Sequence, residues 1–243
     1  MLRFRSAFPW LVLLICCIDP AVAGEPASQA RPEQEAGAET AYLAAVELAR
    51  ASGEREGVLD AIEAALAAGA CPARTLTETA FGSLHGVPRF HELIREHARR
   101  SETLLTLSGE PGKRLRVSGT VRDEQGQPIA GALVYVYHTD ARGLYSADGT
   151  DERNPRIFGY LRTAADGSYA FRTIRPASYP NNTVEQHVHY QVEAEGFAKL
   201  VTEMGFADDP LWKGKNVPDW ARPVTLGADG EAACVFDVTL ERS

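Results

Sequence analysis

The chain has 243 residues, 44% of them hydrophobic and 24% charged, with a formal net charge of −8. That length holds one or two domains with a true core, and the composition is that of an ordinary globular protein. The acidic balance, with no basic stripe or arginine-rich run, argues against a nucleic-acid surface and mainly supports solubility.

Residues 1–23 read as a signal peptide. Arg3 and Arg5 form a positive start, Trp10 to Ile18 an apolar stretch, and Ala21-Val22-Ala23 a small-x-small cleavage site. The mature chain is then expected to begin near Gly24 and to be exported, periplasmic or secreted. The apolar stretch is short for a membrane span, so no stable span is expected after processing. A retained anchor is the alternative. Cys16 and Cys17 raise a lipoprotein reading, but Leu14 and Ile15 lack the small residue expected before a lipidated cysteine. Export would place Cys71 and Cys234 in an oxidising setting. The expectation is a disulfide between them, with two buried free thiols as the alternative.

Residues 24–38, rich in Ala, Glu, Gln, Pro and Gly, lack any apolar period and read as a flexible leader. Residues 39–105 form the helical region. Tyr42, Leu43, Val46 and Ala49 fall at helical spacing, as do Val58, Leu59, Ile62 and Leu66, with Gly69 placed to end that helix. A weaker segment covers Leu76 to Leu84. A fourth helix, opened by Pro88, carries Phe90, Leu93, Ile94 and Ala98.

Residues 106–243 change character. Runs 114–121, 132–137, 168–174, 187–194 and 233–240 are β-rich, and turns such as Asp123 to Pro128 and Asp166-Gly167 separate them. Short strands with turn signals and no helices between them predict a mainly β protein: an antiparallel β-sandwich core with a small N-terminal helical region.

Four residues of this half stand out. His187 and His189 are two apart, which on a strand turns both imidazoles to one face. Alone, such a pair is more often a surface feature. Tyr179 lies between Pro176 and Pro180, and Pro180 favours an extended backbone at the tyrosine. Tyr145 follows a strand exit through Gly143, a common place for a functional group. Each tyrosine alone is more commonly a packed or exposed loop residue. If the four converge, two phenols and two imidazoles make a hard ligand set suited to ferric iron.

The order of these motifs resembles the intradiol ring-cleaving dioxygenases, the catechol and protocatechuate enzymes. The resemblance spans Arg116 to Pro210 and rests on H-T-D-A-R-G-L-Y, R-P-A-S-Y-P and H-V-H. The block G-T-V-R-D-E-Q-G-Q-P is less specific, because transthyretin-like sandwiches share its turn pattern. The resemblance implies that Tyr145, Tyr179, His187 and His189 bind Fe(3+). It also implies that Tyr179 is the phenolate displaced by substrate, and that a small aromatic diol is cleaved by O2 between its hydroxyl-bearing carbons to a muconate-type diacid. It makes homodimerisation through the helical region an expectation.

The sequence departs from that pattern in places. The family's R-P-A before H-x-H is Val184-Glu185-Gln186 here, so an arginine that stabilises charge on the attacked ring carbon is missing. Arg162 and Arg175 are candidate replacements, and Gln186 a candidate neutral donor. Tyr137 stands where a tryptophan is usual. His138 reads as a structural hydrogen bonder or a proton relay. His85, His91 and His97 are expected on solvated helix faces. Asn181-Asn182-Thr183 is a formal glycosylation sequon, read as an unmodified turn. Trp212 and Trp220 are expected to cover a sandwich edge or a pocket mouth. Two competing functions stay open: a non-catalytic transthyretin-like binding module, and an iron- or catechol-binding protein without turnover.

Overall fold

The computed structural model describes residues 30–51, 54–100, 102–146, 149, 153–180, 184–227 and 230–243, with side chains from residue 34 onward. The expected signal peptide, the start of the leader and the sequon at 181–183 lie outside the described residues. No described helix is long and apolar enough to cross a membrane.

Among the described residues, four α-helices come first: α1 (Ala30–Ala51), α2 (Arg55–Ala67), α3 (Pro72–Thr77) and α4 (Pro88–Glu96), with a 3-10 turn at Thr79–Leu84. Helix α1 begins inside the segment expected to be a flexible leader. Ala, Glu, Gln and Arg are strong helix formers even without an apolar stripe, and propensity carries the first turns here. Further along, α1 buries Tyr42, Ala45 and Val46, while Leu43 is 48% exposed. Helix α2 buries Val58, Leu59, Ile62, Ala65 and Leu66 on one face. Pro72 and Pro88 sit in the first turns of α3 and α4, where the missing N–H costs nothing.

The other described elements are the strands β1 (Thr103–Leu104), β2 (Arg114–Asp123), β3 (Leu133–Tyr137), β4 (Phe158–Arg162), β5 (Ser168–Ile174), β6 (His187–Glu193), β7 (Leu200–Phe206), β8 (Ala221–Arg222), β9 (Thr225–Leu226), β10 (Ala232–Val235) and β11 (Val238–Leu240), with a second 3-10 turn at Pro210–Trp212. One sheet runs β1-β5-β2-β10-β9, with β11 also on β2; the other runs β4-β3-β6-β7-β8. The long central pairs are antiparallel. The short strands β1, β8, β10 and β11 join in parallel, so the sheets are mixed and not purely antiparallel. The run expected as one strand over 233–240 is broken at Phe236-Asp237, where the Asp237 carboxylate accepts from the backbone N–H and hydroxyl of Thr120.

The two sheets face each other through Tyr169 and Phe171 of β5, Tyr190 of β6 and Phe236. The Phe171–Tyr190 and Tyr190–Phe236 ring centroids are 6.3 and 4.8 Å apart. On β6, Val188, Tyr190 and Val192 are fully buried in this sandwich. Strand alternation therefore sends His187 and His189 to the opposite, outer face. That face becomes a site only because loops cover it.

The helical layer packs on β4 of the same sheet. The His91 ring stacks on Phe158 at 3.5 Å, and Phe90 meets Phe158 edge-on. His85 and His91 are consequently buried, at 2% and 7% exposure, and not solvated as expected. One nitrogen of each ring finds a backbone carbonyl: His91 Nε2 bonds His85 O at 2.6 Å, and His85 Nδ1 bonds Arg156 O at 2.9 Å. The expected Cys71–Cys234 disulfide is also overturned. Cys234 is a free, buried thiol on β10.

Candidate metal centre

The four residues singled out in the sequence meet at the start of β6. Tyr145 Oη lies 2.6 Å from Tyr179 Oη and 2.6 Å from His189 Nε2. Tyr179 Oη is 3.1 Å from His187 Nε2, and the two histidine Nε2 atoms are 3.1 Å apart. Four donor atoms therefore form a closed ring of short contacts. Metal–ligand bonds of about 2 Å put neighbouring ligands of one ion about 3 Å apart, which is the spacing seen.

Proton counting supports an ion at this point. His187 Nδ1 sits 2.7 Å from Glu185 O, which only accepts, so Nδ1 carries the ring proton and Nε2 presents a lone pair to the site. Two phenol protons and one from His189 are at most three, for four contacts. At least one contact then sets lone pair against lone pair, a conflict that a cation at the centre removes. Burial pushes the His189 pKa down to about 4, and neighbouring His187 adds to the shift, so the ring is a neutral ligand at ordinary pH. Tyr137 stacks flat on His189, centroids 4.5 Å apart, and fixes its plane.

Asp140 holds both tyrosine loops. Its carboxylate accepts from the backbone N–H groups of Arg142 and Leu144 and from the guanidinium groups of Arg142 and Arg156. Its own carbonyl accepts from Ala177 N, in the Tyr179 loop. Burial alone would raise the Asp140 pKa, but these four groups hold it below the usual carboxylate value. Arg156 is fixed in turn by two bonds to Glu110, and its backbone N–H donates to Tyr145 O. The two loops touch at Gly143, which has φ +81°; a Cβ there would fall 2.1 Å from Ser178 O. Only glycine allows that approach.

The other expected site residues divide. Arg162 does not reach the centre: Phe158 is level with Tyr137 and His189, and Arg162 lies four residues further along β4, about 13 Å away. It donates to Gly131 O and lines a cleft with Arg95 and Glu193. Arg175 and Gln186 do come together beside His187. Arg175 Nε donates to Gln186 Oε1 at 2.7 Å, and its other nitrogens grip Asp208 at 2.9 and 2.6 Å. The Gln186 backbone N–H is held by Asp209. Both His138 ring nitrogens are engaged, by Thr139 O and Thr173 Oγ1, which makes it a structural hydrogen bonder.

Trp220 covers β7 next to the site. Gly205 pairs with His187 across the sheet, and a Cβ at Gly205 would meet the Trp220 ring at 2.2 Å. Trp212 packs edge-on against Trp220. Sequence reasoning missed Asp140 and Glu203. Glu203 pairs with His189 on β7 and brings a carboxylate oxygen within 4.8 Å of the histidine donor atoms. The β6–β7 hairpin register was the signal that could have found it.

Comparison with known proteins agrees with this arrangement. A family model described as dioxygenase (Dioxygenase_C) matches residues 86–228, more than half of the chain. The chain is 35% identical to the protocatechuate 3,4-dioxygenase beta chain of Burkholderia cepacia, over 51% of this chain and 54% of that one. It is 34% identical to catechol 1,2-dioxygenase 1 of Acinetobacter lwoffii, over 40% of this chain and 37% of the relative. The chain thus spans about half the length of the curated relatives it matches. Among solved structures, the dioxygenase domain of a dioxygenase–carbohydrate-binding fusion from Streptomyces sp. SirexAA-E is similar at 29% identity and a TM-score of 0.50, covering 60% of this chain and 90% of that one. Chlorocatechol 1,2-dioxygenase from Pseudomonas putida is similar at 28% identity and a TM-score of 0.51, covering 60% and 67%. With its sandwich and its gathered tyrosines and histidines, the chain belongs to the intradiol ring-cleaving dioxygenase family.

Proposed function

We propose that this chain is an iron(III) dioxygenase that cleaves a catechol-type ring between its two hydroxyl-bearing carbons with O2. The observation that carries the reading is the closed ring of Tyr145, Tyr179, His187 and His189 donor atoms, at 2.6 to 3.1 Å. These four residues would hold ferric iron, which would make a catechol reactive toward O2. Tyr145, 2% exposed and anchored through Arg156, is the fixed phenolate. Tyr179, on the loop beside Pro180, would be the second phenolate ligand and the group placed to take up a substrate proton. Tyr137 keeps the His189 plane fixed. Arg175, held by Gln186 and Asp208, and Gln186 itself are the candidates for the role of the missing arginine.

Export after cleavage near Ala23 is part of the same proposal, supported by the pattern of residues 1–23. The partners are then a small aromatic diol and O2, met outside the cytoplasm. Dimerisation through α1, supported by exposed Leu43 and Leu48 on that helix, is the accompanying assembly.

The test is oxygen uptake by the iron-loaded mature chain with catechol, with product identified by mass. One O2 consumed per diol and a diacid carrying both oxygen atoms is the expected result. The missing arginine favours a second reading, binding without turnover. Tight catechol binding with no oxygen uptake would select it.

A further inference from the structure

The outer face of the second sheet holds more donors than a ferric tyrosinate site uses. Strand pairing lines up Tyr137, His189 and Glu203 across β3, β6 and β7, with their side chains on one face. One donor atom each from His187, His189 and Glu203 lies within 4.8 Å of the other two. Glu203 is half-buried and makes no hydrogen bond or ion pair among the described residues. An unpartnered carboxylate beside two imidazoles is not accounted for by packing.

Two histidines and one carboxylate with open positions alongside form the donor set that binds iron(II) and similar divalent ions. Its charge suits a divalent ion: one anionic oxygen and two neutral nitrogens, without the phenolates that a trivalent ion needs. We infer that this centre has two overlapping donor sets sharing His187 and His189. Tyr145 and Tyr179 complete the set for ferric iron, and Glu203 completes a second set for a divalent cation. The phenols are dispensable for the second set. His187 Nε2 is already presented by the Glu185 contact, and the Nε2–Nε2 spacing of 3.1 Å suits two adjacent ligands of one ion. This inference stands on the geometry of the three donors and not on the ferric reading.

The test uses the tag-free full chain, stripped of metal and titrated with Co2+ by calorimetry and visible absorption. The parent, Glu203→Gln and the double variant Tyr145→Phe/Tyr179→Phe are compared, with circular dichroism to verify that each is folded. One Co2+ per chain is expected for the parent. The double tyrosine variant should bind within about threefold of it, and Glu203→Gln at least about tenfold more weakly. Glu203→Gln should keep the colour of the ferric protein. Parent-like Co2+ affinity in Glu203→Gln, no Co2+ binding by the parent, or loss of binding in the double tyrosine variant would each overturn the inference. A parent that stays colourless with ferric iron yet binds Co2+ through Glu203 would uphold it and remove the ferric reading alone.

Discussion

Two pairs of histidines pack against the second sheet, and their fates differ. His85 and His91 lie between the helical layer and β4, His187 and His189 on the outer face of β6. In both pairs burial lowers a ring pKa, of His91 and of His189, to about 4. In the first pair a nitrogen from each ring bonds a backbone carbonyl and the rings stack on Phe90 and Phe158. In the second pair the Nε2 atoms point at one another and at two phenols. Packed histidines are common to both; convergence of ring nitrogens on one point is what separates a candidate metal centre from a packing device.

Removing one ring from each pair should break the comparison most sharply. His189→Ala should weaken iron binding by more than about a hundredfold and leave the fold intact. His91→Ala should leave iron binding near the parent level and cost about 2–4 kcal/mol of stability, because it opens a cavity against Phe158. Iron stoichiometry and urea unfolding on both variants measure the two effects. An iron-free His91→Ala that is fully stable would reverse the assignment.

Asp140 links the second pair to the loops that complete it. Asp140→Ala leaves Arg156 short of a partner in a buried setting and should cost about 3 kcal/mol. It should also loosen iron binding by about 10–100-fold, because both tyrosine loops lose their anchor. A variant that unfolds at the parent's urea midpoint would show that the loops are held in another way.

Acid should reach His91 and His138 before it reaches the carboxylates. His91 and His138 are each lowered from 6.5 to about 4, by burial in both cases. Below pH 6.5 the unfolded chain takes up protons that the folded chain refuses. Stability is therefore full above pH 6.5, falls as pH drops toward about 4, and loses a few kcal/mol across that window. Thermal unfolding of the metal-free protein from pH 7.5 to 4 checks the slope, and a flat profile would contradict the burial of these rings.

The smallest effect separates two glycines of similar backbone. Gly126 has φ +78° and open space around a Cβ, so Gly126→Ala should cost about 1 kcal/mol from its left-handed backbone alone. Gly143→Ala adds a clash with Ser178 O and should cost about 1–2 kcal/mol more. It should also shift the colour of the ferric protein, as Gly126→Ala should not.

Much of the centre was legible because alternation on a strand is a local rule. His187 and His189 two residues apart, with apolar Val188 and Tyr190 between and after them, already put both rings on the face opposite the core. The tyrosines were different. Nothing in the spacing of Tyr145 or Tyr179 fixes where a loop turns, and only the likeness of whole motifs to a known family pointed to them. Glu203 and the failure of Arg162 to arrive both depend on strand register, which the chain sets through pairing of distant segments. His85 and His91 were misread because polar residues on a short helix default to solvent until the surface they meet is known. Helix α1 started early for the opposite reason: propensity alone carried a turn with no apolar stripe to announce it.

The most direct measurement is the visible spectrum of the mature chain reconstituted with ferric iron, beside Tyr145→Phe. Phenolate oxygen bound to ferric iron gives a charge-transfer band, so the parent should be red, and Tyr145→Phe should lose the band or shift it strongly. A colourless parent, or a variant with the parent's spectrum, would mean that the gathered phenols and imidazoles hold no ferric ion between them.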